Sequence, residues 1–184
     1  MNFTSIIYGT WLLFVVYWLI SAAGAKKNAT RPWKGIVFRM VVFAGLFAYL
    51  QTVRPNARLS HAVIVPVPVG VLGVAICLLG IALAVWARIH IGRNWGMPMS
   101  IKQEPELVDT GPYSYIRHPI YTGFLIALLG SAIAAGWWWG IALLTFAVYF
   151  LYSAKMEEKR LSQVMPTQYP AYMRRTKMLI PFVL

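Results

Sequence analysis

The residues best suited to chemistry fall in two short segments. The first is Gly111-Pro112-Tyr113-Ser114-Tyr115-Ile116-Arg117-His118-Pro119-Ile120-Tyr121-Thr122-Gly123. Proline at the first helical position loses no intrahelical hydrogen bond and has its φ preset. Pro119 is therefore predicted to start a helix, with Arg117 and His118 at its mouth. The positive end of a helix and its free N–H groups favour a carboxylate or phosphate, and the Arg117 guanidinium offers a planar fork to the same anion. Tyr113, Tyr115 and Tyr121 add aromatic surface, so the group predicts a pocket for a flat, polar, partly anionic ligand. Taken singly, a Tyr, Arg or His beside an apolar run is an ordinary interfacial anchor; the grouping with glycines and prolines is what points to a site. The second segment is Glu157-Glu158, two of only five acidic residues in the chain. Amid Lys155, Lys159 and Arg160 the pair reads as exposed salt bridging, which contributes little. Placed against Arg117 and His118, the same carboxylates would hold ribose hydroxyls or an ammonium group.

What must position these residues is a membrane bundle. Of 184 residues, 59% are hydrophobic and 12% charged, with a mean hydropathy of +0.62. A soluble domain carries about 25% charged residues, so these charges are too few to cover a water-facing surface. Seventeen Lys and Arg stand against the five acids, a net charge of +12. They lie between and after long apolar runs, the pattern of membrane topology and lipid headgroups rather than of nucleic-acid binding. The single cysteine, Cys77, excludes an internal disulfide and a thiolate metal cluster, and no metal site is expected.

About 20 apolar residues cross a bilayer. Apolar runs at 3–23, 35–50 and 63–89 predict three spans, the last with Pro66 and Pro68 in its first turns, where proline costs least. The first is read as a retained span and not a secretory signal, since no basic stretch precedes it and it is long for such a segment. The uncharged run 120–152 is too long for one span; Gly136 and Gly140 bracket Trp137, Trp138 and Trp139, predicting two helices joined by a tight turn at the far interface. Such a hairpin brings Glu157 and Glu158 back beside Arg117 and His118. The predicted fold is thus all-α: one polytopic membrane domain over 1–184, about five transmembrane helices with a C-terminal helical hairpin and a short amphipathic tail.

These segments resemble the isoprenylcysteine carboxyl methyltransferase family, in its prokaryotic-type members, and the related phospholipid methyltransferases. The likeness runs from Asn94-Trp95 to Tyr172. It rests on Leu107-Val108, Gly111-Pro112-Tyr113, Arg117-His118-Pro119-Ile120-Tyr121 and Glu157-Glu158, with Leu161, Tyr169 and Tyr172 continuing the tail. It implies a small helical bundle without a Rossmann domain, S-adenosyl-L-methionine as cofactor, and a cofactor-binding C-terminal half from about residue 94. Implied cofactor contacts are Pro105, Glu106, Leu107, Val108, Tyr113, His118, Pro119, Ile120, Tyr121 and Glu157, with Lys102 on the same lining. Arg117 is the candidate for orienting a carboxylate of acceptor or cofactor, and Glu158 is the second catalytic candidate. The implied acceptor is lipophilic, a prenylcysteine-like carboxylate or another small apolar molecule, entering sideways between the third span and the final hairpin. Membrane lipids are the other expected partners, and a monomer is expected.

Two departures bear on the acceptor. Members that methylate prenylcysteine carry an arginine four residues before the equivalent of Glu157, where this chain has Ser153, and Met165-Pro166 stands where Phe-Gly is common. A carboxylate is already ionised at neutral pH, so no general base is expected; an amine, phenol or thiol acceptor would need one, with His118 or Glu158 as candidates. Two alternatives use the same residues differently. Sterol reductases, which use a nicotinamide cofactor, share a similar Arg-His-Pro-x-Tyr element but have more spans. A transporter subunit or scaffold would place polar groups near the bilayer midplane, whereas these charges gather at one interface.

The loop after the first span carries Lys26, Lys27, Arg31 and Lys34, and that after the second carries Arg54 and Arg58. With the basic tail, this predicts an integral membrane protein with its C-terminus cytosolic, in a prokaryotic plasma membrane. A reporter fused after Leu184 is expected to be active in the cytosol; activity confined to the outer side would reverse the orientation.

Overall fold

The computed structural model describes residues 2–22, 28–30, 65–96, 101–102 and 106–180. The expected span at 35–50 and the expected cofactor contact Pro105 lie outside these residues. Among them are helices α1 (Phe3–Ala22), α2 (Val67–Ile91), α3 (Pro119–Ala135), α4 (Trp137–Val164) and α5 (Gln168–Arg175). Among the described residues, helical prolines stand where a helix tolerates them, in the first turns of α2 and α5 and at the start of α3, and Gly136, at φ 106°, makes the turn between α3 and α4. At 20, 25 and 28 residues, α1, α2 and α4 are long and apolar enough to cross a membrane, while α3 is apolar and shorter at 17. Leu13 and Ile20 are each 72% exposed, an outward face that suits lipid and not water. The protein is an all-helical, polytopic membrane protein.

One small departure is a two-stranded antiparallel ladder, β1 (Asn28–Thr30) with β2 (Ile101–Lys102). It is too short to leave an alternating pattern in the sequence, and it places Lys102 on a strand. By its rise α4 is about 42 Å long, against a hydrocarbon core of about 30 Å, so the Glu157-Glu158 pair rides on helical turns that continue beyond a span's length to Val164.

Glycines set the tightest contact in the bundle. A Cβ at Gly80 on α2 would lie 2.3 Å from the Ala127 backbone nitrogen of α3, and one at Gly130 on α3 would lie 2.3 Å from that of Cys77. The two backbones touch, as small-residue interfaces in membranes allow. No ligand passes between them, so sideways entry between the third span and the hairpin is ruled out along this seam. Helix α1 closes the bundle: Phe3 lies on Gly70, Trp11 Nε1 donates to Ser131 Oγ at 2.9 Å, and the Trp11 and Trp139 rings stack at 5.7 Å.

Beyond α4 the chain turns back. Tyr169 and Tyr172 of α5 are buried while Arg174 and Arg175 face out. The strap 176–179 then lies along the loop before α3: Arg117 N donates to Lys177 O at 2.8 Å, His118 N to Met178 O at 3.1 Å, and Thr122 Oγ1 to Leu179 O at 2.7 Å.

Candidate active site

The loop from 110 to 118 is shaped by its own residue types. Gly111 has φ +58°, and a Cβ there would come within 2.7 Å of the His90 ring, so glycine is required on both counts. Residues Gly111–Ser114 form a 3-10 turn that buries Tyr113 and leaves Tyr115 63% exposed. Tyr115 therefore adds no surface to an interior pocket, contrary to expectation. Pro119 keeps His118 out of the α region; His118 caps α3 with extended φ −124°, and its side chain, like that of Arg117, projects from the helix mouth toward α4.

The hairpin brings the two chemical segments together. Arg117 Nε lies 2.5 Å from Glu158 Oε1, with side-chain exposures of 8% and 7%. Its Nη1 donates to the carbonyls of Met173 and Thr176 in the tail. His118 sits between the two acids, Nε2 3.3 Å from Glu158 Oε1 and Nδ1 3.6 Å from Glu157 Oε2. Tyr121 OH donates to Glu157 Oε1 at 2.8 Å. The His118 and Tyr121 rings lie parallel at 5.2 Å, and Tyr121 stacks on Phe150 at 4.4 Å, a continuous wall from the charged end into the bundle. Burial pushes the phenols of Tyr113, Tyr169 and Tyr172 well above their ordinary range. They stay protonated and act as donors, as when Tyr172 OH donates to Tyr113 O at 2.6 Å.

These side chains face a cavity of about 480 Å³, within the range of small-molecule sites. Its polar end is lined by Asn94, Glu106, Arg117, His118 and Glu157, and its apolar end by Phe14 and Trp18 of α1, Phe124 of α3, and Phe146, Tyr149 and Phe150 of α4. Of the residues singled out from the sequence, Glu106, Leu107, Val108, Tyr113, Arg117, His118, Ile120, Tyr121 and Glu157 line it. Pro119 is fully buried behind the wall, and Glu158 lies behind Arg117 and His118. The Arg117 fork, read from the sequence as an anion hold, is turned onto Glu158 and the tail carbonyls. Ser153 is fully buried between Tyr149 and Glu157 on the α4 stripe and is not a wall residue.

The α1 wall left no sign in the sequence, because Phe14 and Trp18 look like any residues of an apolar span. The aromatic stripe of α4, Phe146, Tyr149 and Phe150, had a signal in its helical spacing into Glu157 and Leu161. Arg88 was visible only as the end of an apolar run. It is buried, donates to the carbonyls of Gly92 and Ser21, and lies over the Trp95 ring at 4.6 Å. It thereby ties the end of α1 to the cavity rim.

A family model described as phospholipid methyltransferase matches residues 69–168, more than half of the chain. The chain belongs to the phospholipid methyltransferase family. The match begins in α2, well before the Asn94-Trp95 start read from the sequence, and so includes the helix that α3 packs on. Among related proteins, the chain is 33% identical over 117 residues to protein-S-isoprenylcysteine O-methyltransferase B of Arabidopsis thaliana, covering 60% of the chain and 58% of that protein. It is 35% identical over 75 residues to a methanethiol S-methyltransferase of Crocosphaera subtropica, covering 39% of the chain and 28% of that protein. A probable protein-S-isoprenylcysteine O-methyltransferase of Oryza sativa is 24% identical over 176 residues, covering 91% of the chain and 88% of the relative. The first two matches thus span little more than half, and under a third, of the relatives' lengths. Membership of this family sets aside the reductase and scaffold alternatives.

Removing one member of a buried ion pair leaves the other charge uncompensated, at about 3–5 kcal/mol. Glu158→Ala is expected to lower the thermal midpoint in detergent sharply, and Arg117→Met with Glu158→Met to recover most of the loss. A Glu158→Ala protein as stable as the wild type would contradict the structural role of the pair.

Proposed function

We propose that this chain is an S-adenosyl-L-methionine-dependent methyltransferase acting on a lipophilic acceptor at the cytosolic surface of the membrane. The observation that carries this reading is a single cavity with two chemistries. Its charged end lies at the helix ends, where a water-soluble donor arrives, and its aromatic end runs between α1, α3 and α4, where an apolar molecule is at home. Partition into apolar surroundings favours the acceptor by about 0.8 kcal/mol per methylene. The aromatic side chains of α1 and α4 that form that end offer an apolar molecule its way in from lipid.

The residues fit such a donor. Glu106 and Glu157 supply acceptors for an ammonium group or ribose hydroxyls, and the rings of His118 and Tyr121 supply a flat face for a base. When bound, S-adenosylmethionine supplies a methyl group already activated on a sulfonium. The chain's own residues hold and orient. Tyr121 fixes Glu157; Glu157 and Glu158 fix the His118 ring; Arg117 neutralises Glu158 and anchors the tail, and is thus a positioning residue. A carboxylate acceptor needs no base, so alignment supplies much of the rate. A thiol acceptor would pass its proton to His118, which lines the cavity while Glu158 does not. The resemblance puts a substrate arginine where this chain has buried Ser153, so the favoured acceptor is an apolar molecule other than prenylcysteine.

Donor affinity measured by calorimetry on the detergent-solubilised protein tests the reading. His118→Ala and Glu157→Ala are each expected to weaken binding about tenfold or more, the scale of a hydrogen bond to a charged group. Affinity unchanged in both variants counts against the site.

A further inference from the structure

One polar atom at the cavity rim has no partner among the described residues. Asn94 closes the 3-10 turn Gly92–Asn94 at the end of α2 and lines the cavity. Its Nδ2 donates to Glu106 Oε2 at 3.1 Å. A carboxylate only accepts, so this bond fixes which end of the amide is which. The other end, Oδ1, is buried and has no hydrogen-bond partner among the described residues. A buried acceptor in that state is costly and calls for an explanation. The turn that presents it is held from below: Arg88 Nη1 donates to Gly92 O at 2.9 Å, and its guanidinium lies over Trp95, the residue after Asn94. Asn94 is therefore braced, its amide is oriented, and its acceptor lacks a donor among the described residues.

Resting on the methyl-donor reading above, we propose that Asn94 is a further donor-binding residue, whose Oδ1 accepts a hydrogen bond from the α-ammonium group of the bound methyl donor. The neighbouring groups select that chemistry. The Glu106 carboxylate beside Asn94 adds negative charge and acceptor oxygens. An ammonium brings one positive charge and three N–H donors, enough for both partners at once. Glu157 is engaged by Tyr121 and faces His118, so the Asn94–Glu106 pair is a separate contact point on the same ligand. The two acidic positions thus divide the work, with Glu106 reading the amino-acid portion through Asn94 and Glu157 facing the aromatic wall.

The test compares two ligands on the full-length protein in detergent: S-adenosylhomocysteine, and its desamino analogue, in which hydrogen replaces the α-amino group. The wild type is expected to bind S-adenosylhomocysteine about tenfold or more tightly than the analogue. Asn94→Ala is expected to lose most of that preference, by weakening S-adenosylhomocysteine while leaving the analogue nearly unchanged. Glu106→Gln, which keeps an acceptor for Asn94 Nδ2 but removes the charge, should erode the preference in the same direction and serves if Asn94→Ala does not fold. Equal weakening of both ligands in these variants, or no weakening of either, overturns the assignment of Asn94 to the ammonium. Wild-type protein that binds neither ligand instead overturns the donor reading on which the assignment rests.

Discussion

The arrangement depends on one buried ion pair, Arg117 with Glu158, at the edge of the membrane. Both side chains are over nine-tenths shielded, and a lone charge in that position would be expensive. Together they join three parts of the chain distant in sequence: the loop before α3, the C-terminal end of α4, and the tail, through the Met173 and Thr176 carbonyls. Each part brings a cavity wall with it. The loop brings His118 and Tyr113, α4 brings Glu157 and its aromatic stripe, and the tail brings Tyr169 and Tyr172. The strap bonds from Arg117 N and His118 N to Lys177 and Met178 act alongside the pair. The pair thus fixes the neighbouring groups that face the ligand, with Glu158 behind the wall and Arg117 at its edge.

A second constraint comes from the glycine seam. Because α2 and α3 touch along Gly73, Gly80, Gly123 and Gly130, the space in the bundle is pushed to the other side of α3, toward α1 and α4. That side carries the large aromatics. One close contact therefore accounts for both the cavity's position and its apolar half, while the helix ends supply its polar half. Joining a charged, water-soluble molecule to an apolar one is a problem of two solvents, and a cavity running from interface to hydrocarbon is a direct solution.

Much of this was legible in the sequence, for identifiable reasons. Long apolar runs and clustered charges have few physical solutions, so the spans of α1 and α2 and the α3–α4 hairpin followed from length alone. Pro119 announced the start of α3, and the hairpin then required Glu157 and Glu158 to meet Arg117 and His118. Direction was harder to read than proximity. Adjacent residues on a helix face about 100° apart, so Glu157 lines the cavity while Glu158 turns behind it, and no local pattern says which does which. The Arg117 fork could not be known to be occupied without the tail carbonyls, which come from nearly sixty residues away. Tyr115 was misjudged because a 3-10 turn rotates it outward beside a buried Tyr113.

The central claim is that one amphipathic cavity brings a polar methyl donor to an apolar acceptor. The most direct measurement supplies the purified protein with donor labelled in its methyl group and a membrane lipid extract, then follows the label between aqueous and organic phases. The account predicts a labelled product that enters the organic phase only when protein is present and is depleted by His118→Ala. Protein that binds the donor yet leaves all the label in water, or transfers it to a water-soluble acceptor, would contradict the account.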